Sequence, residues 1–358
     1  MKKVILVGGG HAHLYALHTL LKEKIDLNVV LISASRYQYY SGMFSGYTEG
    51  IYEEEDIRID LKDLTTRANV SFVQDEVVNF NTKKKKVYCS SGKSLSYDVI
   101  SFDIGSNTEM NHSFYSNIIP IKPNYLFPEH IDELKKSSNP IVVGGGAAGV
   151  ELALTMLAWR EKHITHQGIT LISSSSLLQS FGTSTSNKIT QIAKRKGLQI
   201  FEEEKVQGVT STYVQTDKEK KLKHTGVLWL TGAKSFDLFK DANISTDGSG
   251  FLKVNTCLQN DAYPFVFGAG DCISINKNSE LPKNGVYAIR QAPILWRNIK
   301  KYLNGEELDV FKPQKKYIAI LSTGKKEALF IYGRFSFHSR IAWFLKHYID
   351  CKFIKKFK

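Results

Sequence analysis

Residues 140–160 read PIVVGGGAAGVELALTMLAWR, and this stretch decides the fold. A short apolar run enters a glycine-rich turn, and apolar positions then recur at helical spacing through Leu157. Gly144, Gly146 and Gly149 have the Gly-x-Gly-x-x-Gly spacing of a dinucleotide-binding loop. In that motif the first glycine makes the turn, the second lets the backbone approach a pyrophosphate, and the third lets helix and strand pack closely. The sequence therefore predicts a strand, a nucleotide-binding turn and a helix.

The same device opens the chain, where residues 1–14 read MKKVILVGGGHAHL. Gly8 and Gly10 occupy the first two glycine positions, and His13 stands at the third. One Gly-x-Gly is weak evidence, but two copies in one chain predict two nucleotide loops. Each copy is followed by an apolar run, LNVVLIS or GITLISS, which predicts the second strand of a doubly wound sheet. We expect His13 to be a packing residue on the first turn of its helix.

Length and composition indicate a folded protein with more than one domain. A chain of 358 residues can form two or three domains, and 42% apolar residues are typical of globular proteins. No stretch approaches the roughly 18 uninterrupted apolar residues of a spanning helix. The apolar run after Lys2 and Lys3 ends too early, at Gly8, for a secretory leader. We therefore expect a chain that is soluble or lies on a membrane surface without spanning it.

The four cysteines, Cys89, Cys257, Cys272 and Cys351, are far apart, without a Cys-x-x-Cys pair. This spacing indicates a reducing compartment and argues against both a disulfide framework and a zinc site. We expect buried or neutral thiols and no metal.

Most of the net charge of +13 lies near the C-terminus. Residues 311–358 hold twelve Lys or Arg against Glu327 and Asp350, so this segment carries +10. Aromatic residues are interleaved with the basic ones, a pattern suited to an anionic surface, either a bilayer or a nucleic acid.

An amphipathic helix is predicted over residues 338–351. Its apolar face would hold Ile341, Phe344, Leu345, Tyr348 and Ile349, and its polar face Arg340, Lys346, His347 and Asp350, with Trp343 on the polar side. Lys352 interrupts the stripe, so we expect KFIKKFK (residues 352–358) to change direction. Phe353, Ile354 and Phe357 would insert partly into a membrane, and the alternative is that the stripe packs on the body of the protein.

Further signals fix the layout between and after the two loops. Predicted strands end at Gly105-Ser106 and at Thr231-Gly232, and FVFGAGDC places Gly270-Asp271 after a third.

These features together resemble the flavoprotein reductases with two dinucleotide domains, in which FAD sits on the first loop and NAD(P)H on the second. The segments GGGHAHLYAL, LISASRYQYYSGMFSGYTEGIY, PKNGVYAIRQAP and HYIDCKFIKKF look most like the type II NADH dehydrogenase branch. They are most similar to the version fused to some bacterial selenophosphate synthetases, whose members carry Gly-His-Ala-His. The resemblance covers nearly the whole chain.

The resemblance implies an α/β fold with two Rossmann-like domains, arranged as in glutathione reductase. The FAD domain would comprise residues 1–112 and 257–308, with the NAD(P)H domain, residues 113–256, inserted in it. Residues 309–358 would form a basic C-terminal appendage that associates with a membrane or packs at an interface.

The resemblance also implies a set of cofactor-binding residues. They are Gly8, Gly10, His11, Ala12, Ser33, Arg36, Ser41, Gly42, Gly105, Gly144, Gly146, Ala147, Gly149, Glu151, Ser173, Gly232, Gly270 and Asp271. Asp271 would accept a hydrogen bond from the ribityl chain, and the alternative is that it caps the following segment. Ser33 and Ser173 stand where an acidic residue usually binds the adenosine ribose, so NADH and NADPH are not distinguished.

Glu151 and Arg290 are the catalytic candidates. A glutamate in the first turn of the second helix would orient the nicotinamide amide or handle the flavin N5 proton, or would only complement the helix dipole. Arg290 falls where type II enzymes carry the Ala-Gln-x-Ala-x-Gln motif near the quinone, and both glutamines are absent. It would stabilise an anionic reduced flavin, bind an anionic acceptor or form an ion pair.

The resemblance implies hydride transfer from NADH or NADPH to FAD, and electron transfer from there to a quinone. The missing cysteine pair argues against disulfide chemistry. Alternatives are a soluble or protein acceptor, or a redox-sensing docking module with a basic tail; we expect no nucleic-acid partner. We expect a cytoplasmic protein on the inner face of the cell membrane, bound to anionic lipid, with a homodimer left open.

Overall fold

The computed structural model describes residues 1–109, 118–163, 168–276 and 281–358. The α-helices of these ranges are α1 (His11–Leu20), α2 (Phe44–Glu49), α3 (Glu54–Ile57), α4 (Leu61–Arg67), α5 (Phe127–Lys136), α6 (Ala147–His163), α7 (Thr183–Arg195), α8 (Leu238–Asp241), α9 (Gly285–Asn304) and α10 (Arg340–Ile354).

The strands of the same ranges are β1 (Lys2–Val7), β2 (Leu27–Ser33), β3 (Tyr37–Tyr39), β4 (Arg58–Asp60), β5 (Ser71–Gln74), β6 (Val77–Asn81), β7 (Lys86–Cys89), β8 (Ser94–Ser96), β9 (Val99–Phe102), β10 (Asn107–Thr108), β11 (Ile118–Pro120), β12 (Pro140–Val143), β13 (Thr170–Ile172), β14 (Gln199–Phe201), β15 (Val206–Val209), β16 (Tyr213–Thr216), β17 (Lys221–Lys223), β18 (Gly226–Trp229), β19 (Ala233–Lys234), β20 (Leu252–Val254), β21 (Val266–Gly268), β22 (Ile273–Ile275), β23 (Ile318–Gly324), β24 (Glu327–Tyr332) and β25 (Phe335–Ser339).

The first glycine loop belongs to a five-stranded parallel sheet. Its strand order is β21-β9-β1-β2-β5, and the register places Val4 of β1 between Val29 of β2 and Val99 of β9. All three valines are buried. β-Branched residues favour strands, and a parallel sheet covered on both faces needs continuous apolar runs. The run at residues 4–7 therefore forms the central strand.

The second glycine loop belongs to another five-stranded parallel sheet, built on the same plan. Its order is β11-β18-β12-β13-β14, and β12 leads through the glycine turn into α6. Each sheet is accompanied by a three-stranded antiparallel meander, β6-β7-β8 or β15-β16-β17. The α/β fold with two Rossmann-like sheets is therefore confirmed.

The first sheet is built from strands that come before the second sheet in the sequence and from one that comes after it. β21 pairs in parallel with β9, although the whole second sheet lies between them along the chain. Between the two sheets, β10 pairs with β19 in an antiparallel bridge. The predicted domain boundary at residues 112 and 113 lies outside the described residues.

The C-terminal region forms a third unit, an antiparallel sheet β23-β24-β25 with α10 packed on β24. Ser339 caps α10, because its side chain accepts a hydrogen bond from the Ala342 N–H at 3.1 Å. The helix continues through Lys352 to Ile354, so the predicted change of direction at Lys352 is wrong. No helix within the described ranges has both the length and the apolar character needed to cross a bilayer.

Candidate functional site

The first glycine loop lies against Asp103, just beyond the end of β9. Gly8 turns with a φ of +91°, and a side chain there would overlap the Asp103 carbonyl. After Gly10 the chain enters α1, whose Ala12 and His13 N–H groups donate to the Asp103 carboxylate at 2.7 and 3.3 Å. The first turn of α1 therefore holds an anionic group that the chain itself supplies.

Burial determines the charges around this loop. Desolvation raises the pKa of Asp103 to about 7, against the two backbone hydrogen bonds, which lower it. Burial also lowers the pKa of His11 and of His13 to about 4, so both rings are neutral at neutral pH. Asp103 and the nearby Asp271 are therefore the acidic groups that set the local charge.

His13 replaces the third glycine of the motif through two hydrogen bonds. Its Nδ1 lies 2.7 Å from the Gly8 carbonyl oxygen, and its Nε2 lies 2.9 Å from Ser101 Oγ. A neutral ring facing a carbonyl must donate from Nδ1, so Nε2 accepts from the serine hydroxyl. The histidine thus joins the glycine turn to β9, a more specific role than the predicted packing.

A second cluster surrounds Asp271. Lys122 Nζ lies 3.0 Å from Asp271 Oδ2 and donates to Ser106 Oγ at 2.5 Å. The Gly270 N–H donates to Gln291 Oε1 at 2.7 Å, and Gln291 is buried on α9. Sequence analysis missed Lys122 because its position depends on the return of the chain after β11. Gln291 was not predicted because its partner, the Gly270 N–H, lies 21 residues earlier in the chain, whereas the predicted residue next to it, Arg290, is exposed.

The end of α10 packs on the first loop. Phe353 stacks on Tyr40 with ring centroids 4.4 Å apart, and His11 lies 5.5 Å from Phe353. Ile354 and Phe357 are buried, 4% and 5% exposed. The expectation that these three side chains insert into a membrane is therefore wrong, because they pack on the body.

A groove of about 660 Å³ lies between α1, α9 and the end of α10. Apolar side chains from all three helices line it, among them Tyr15, Ile289, Phe353 and Phe357, and His11 lies at its wall. It runs along the helix that carries the first glycine loop. Thr19, Lys22, Glu23 and Lys356 add polar groups to its lining, so the groove can hold a small molecule with apolar and polar parts.

The second glycine loop has the close packing that its third glycine predicts. Gly144 has a φ of +127°, and a Cβ at Gly149 would overlap the Gly144 carbonyl oxygen. A Cβ at Gly146 would meet no atom within 4 Å, so open space lies in front of α6. Ala147 begins the helix, as predicted.

Glu151 lies one turn further along α6 than predicted. It is the fifth residue of the helix, and the first turn contains no acidic residue. The alternative that Glu151 complements the helix dipole from the first turn is therefore wrong. Its Oε1 accepts from the Ser322 N–H of β23 at 2.9 Å and lies 3.7 Å from Lys346 Nζ of α10. Glu151 thus ties the second loop's helix to the C-terminal unit.

Lys346 is the centre of a buried polar network. Its Nζ lies 2.9 Å from Asp350 Oδ2 and 2.5 Å from the Gly42 carbonyl oxygen, and Tyr40 Oη donates to Asp350 Oδ1 at 3.0 Å. Burial lowers the pKa of Lys346, but Glu151 and Asp350 raise it by more, and the pKa lies above its ordinary value. The lysine is therefore a buried cation held by two carboxylates.

The faces of α10 are reversed relative to an ordinary surface helix. The polar side contacts the body, with Asp350 4% exposed and Trp343 6% exposed. The predicted apolar face points outward, with exposures that range from 39% for Leu345 to 76% for Ile341. A second exposed row follows the register of the sheet at Ile318, Tyr332 and Phe335. Large apolar surfaces of this kind mark contacts with a partner or a membrane.

The remaining predicted residues are dispersed around the two loops. Ser33 ends β2, Gly42 contacts Lys346, Gly105 and Gly232 have left-handed φ values, and Ser41 is exposed. Arg36 forms an ion pair with Asp60 at 2.6 Å. Ser173 is buried against the second glycine loop.

Both loops have features of a dinucleotide site. At the first, the Ala12 and His13 N–H groups at the start of α1 are donors of the kind that a diphosphate uses, and Asp103 must release them before a diphosphate can bind there. At the second, the open space before Gly146, at the start of α6, leaves room for a diphosphate.

Comparison with known proteins agrees with this geometry. The family model described as "Pyridine nucleotide-disulphide oxidoreductase" matches residues 2–292. Ferroptosis suppressor protein 1 of Xenopus tropicalis is 27% identical, covering 91% of this chain and 87% of the relative. The type II NADH:quinone oxidoreductase of Staphylococcus aureus is 24% identical, covering 99% and 96%.

Among solved structures, NDH2 from Plasmodium falciparum in complex with NADH superposes with a TM-score of 0.83. It is 15% identical and covers 99% of this chain and 97% of that one. At this identity the likeness concerns the fold.

Proposed function

Because this chain belongs to the pyridine nucleotide-disulphide oxidoreductase family, we propose that it passes electrons from NAD(P)H through FAD to a quinone. The chain is an oxidoreductase of the FAD-dependent type that uses NAD(P)H. The quinone, the domain assignments and the residue roles below are parts of the proposal. Kinship with the version fused to selenophosphate synthetases is also proposed, on the motifs quoted above.

The first loop is proposed to hold FAD and the second NAD(P)H. Residues 1–112 and 257–308 would form the FAD domain, and residues 113–256 the NAD(P)H domain. When bound, FAD supplies the chemistry, since it accepts a hydride and releases electrons one or two at a time. The chain's own residues bind and orient: the α1 and α6 N-termini hold the diphosphates, and Asp271 lies at the end of the first sheet to bind the flavin chain.

The exposed apolar face of α10 is the observation that carries the choice of acceptor. An outward stripe of Ile341, Phe344 and Tyr348 over an inward charged network is unfavourable in water and favourable at a bilayer surface. Quinones dissolve in the bilayer. A reductase held there by α10 would meet this acceptor, with Lys355 and Lys356 exposed to anionic headgroups.

The groove between α1, α9 and α10 is the proposed place for the acceptor. Ile349 and Phe353 of α10 and Phe357 just beyond its end are spaced four residues apart, and they pass from exposed through half-buried to buried in that order. The outward stripe therefore leads along one side of the helix into the groove. Arg290, exposed one residue beyond Ile289 of the groove wall, is proposed to stabilise negative charge on the flavin or the acceptor.

Glu151 and Lys346 are proposed to handle protons. Lys346 Nζ carries a proton held by Glu151 and Asp350, within the network that joins α6 to α10. Reduction of a quinone to a quinol consumes two protons. Because Glu151 and Asp350 raise the pKa of Lys346, the lysine would keep its own proton and orient Glu151, the group through which protons would pass.

The cysteines support an acceptor other than a disulfide. The four lie in described residues and are free, and burial raises the pKa of the Cys272 thiol to about 12. A thiol held neutral in this way is a poor nucleophile.

The proposed location is the inner face of the cell membrane, and formation of a homodimer remains a prediction.

To test the proposal, intact holoprotein is sedimented with anionic vesicles at low and high salt. Turnover is measured with a long-chain quinone in the vesicles and with a short-chain quinone in solution. We expect binding that weakens with salt, and turnover with both quinones.

A double variant, Phe344→Ser with Tyr348→Ser, should release the protein from vesicles and lose turnover only with the embedded quinone. The matched control, Val78→Ser with Tyr213→Ser, removes two exposed apolar residues elsewhere and should behave as the wild type. Equal vesicle binding by both double variants would contradict the membrane role of α10. Turnover with soluble protein acceptors but with neither quinone would contradict the proposal that the acceptor is a quinone.

A further inference from the structure

The loop that follows β13 occupies the place where an acidic residue usually selects the adenosine ribose. Ser173 stands there, and a Cβ at Gly145 would overlap its side chain. The Leu178 N–H donates to the Gly145 carbonyl oxygen at 2.8 Å. Residues 173–178 are therefore packed directly on the second glycine turn, and in this fold the ribose of the bound nucleotide lies beside that turn.

Two acidic residues reach this loop from the neighbouring strand. β14 pairs in parallel with β13, and Glu202 and Glu203 follow it at the same edge of the sheet. Glu202 Oε1 accepts from the Leu177 N–H at 2.8 Å, and Glu203 Oε1 accepts from Ser176 Oγ at 2.9 Å. Carboxylates therefore reach the loop that follows the second strand, near the usual place of the motif's acidic residue, but they come from the third strand of the sheet.

The charge of these two carboxylates is not neutralised within the described residues. Neither belongs to an ion pair there, whereas Glu204 next to them pairs with Lys220 at 2.9 Å. Lys188, the nearest basic residue after the loop in sequence, donates to the Ser336 carbonyl oxygen of β25. A second phosphate on the ribose would meet the negative charge of Glu203; Lys205, exposed two residues beyond Glu203, is the nearest cation of this segment in sequence.

We infer that Glu203, supported by Glu202, makes this chain select NADH against NADPH. Glu203 is exposed at the loop and can accept hydrogen bonds from ribose hydroxyls, whereas Glu202 is half-buried and holds the loop through Leu177 and Thr190. A 2′-phosphate removes one hydroxyl donor and adds about two negative charges beside Glu203. The inference rests on the proposed binding of NAD(P)H at the second loop.

The test is direct binding of ADP-ribose and of its 2′-phosphate to the purified holoprotein by calorimetry. We expect the Kd of ADP-ribose to be lower than that of its 2′-phosphate by on the order of tenfold. This gap in affinity should narrow as salt is added. Glu203→Gln should reduce the gap and Glu203→Lys should close or reverse it. Glu76→Gln removes an exposed charge between β5 and β6, beside the first sheet, and should leave the gap unchanged.

Equal binding of the two ligands by the wild type, or an unchanged gap in both Glu203 variants, would overturn the assignment of specificity while leaving the nucleotide site intact. Failure of both ligands to bind any variant would instead overturn the second loop as a nucleotide site, and with it the proposed function.

Discussion

Asp103 is the residue through which we expect the binding of a dinucleotide at the first loop to be linked to the binding of a proton. Its carboxylate takes the Ala12 and His13 N–H groups that a bound diphosphate would use. An ionised carboxylate would compete with the diphosphate and repel it, whereas a protonated one can turn away or donate a hydrogen bond. With a pKa of about 7, Asp103 changes between these states near neutral pH.

We therefore predict that FAD affinity falls as pH rises. Binding would take up a proton at Asp103, so affinity should drop by up to about tenfold per pH unit above the pKa, between about pH 7 and 8. His11 and His13 have pKa values near 4 and Cys272 near 12, so none of them titrates there. Titration of FAD into the apoprotein by flavin fluorescence measures the slope. Asp103→Asn should flatten it, and an equal slope in that variant would exclude Asp103.

Lys346 is predicted to be essential for stability. Lys346→Met leaves Glu151 and Asp350 as buried carboxylates without their cation, which should cost about 3–5 kcal/mol of unfolding free energy. Urea unfolding measures this loss. Lys352→Met, an exposed lysine on the same helix, should cost less than about 0.5 kcal/mol. Similar losses in the two variants would show that the network contributes little.

At the scale of elements, the two strand-turn-helix units differ in how closely strand and helix approach. In the second unit, Gly149 permits the close approach of α6 to the turn at Gly144. In the first, His13 stands at the equivalent position and binds the Gly8 carbonyl oxygen through its ring. One unit therefore uses close packing and the other a hydrogen bond to fix the same turn.

This contrast predicts different outcomes for two glycine substitutions. Gly149→Ala places a methyl group on the Gly144 carbonyl oxygen, so the free energy of unfolding should fall by about 1–3 kcal/mol. Gly146→Ala meets no atom within 4 Å, so stability should change by less than about 1 kcal/mol while binding of ADP-ribose weakens. Thermal unfolding measures the stability of the two variants, and calorimetry measures how tightly each binds ADP-ribose. Equal destabilisation by both substitutions would contradict this account of the loop.

The sequence predicted the strands and helices of both units because apolar periodicity and glycine spacing are local properties. It also predicted which residues of α10 share a face. It did not predict which face points inward, because that depends on Glu151, which lies 195 residues before Lys346 in the chain. For the same reason the burial of Phe353 and Phe357 against Tyr40 and His18 was missed.

On the scale of the whole molecule, α10 connects the parts on which the proposed reaction depends. It contacts α6 of the second loop through Lys346, the first loop through Phe353, and it leaves an apolar stripe outside. Asp103, Lys122 and Gln291 could not be predicted individually, because each acquires its partners only when distant segments meet. The proposed nucleotide sites, the proposed acceptor groove and the proposed membrane face are thus arranged around one helix.

The central claim is that electrons pass from NADH to bound FAD and then to a quinone. The direct measurement is anaerobic stopped-flow absorbance of the holoprotein, first mixed with NADH and then with a short-chain quinone. We predict that the oxidised flavin absorbance is lost on the first mixing and restored on the second, each at least as fast as steady-state turnover. A flavin that NADH does not reduce, or that the quinone reoxidises no faster than buffer alone, would contradict the account.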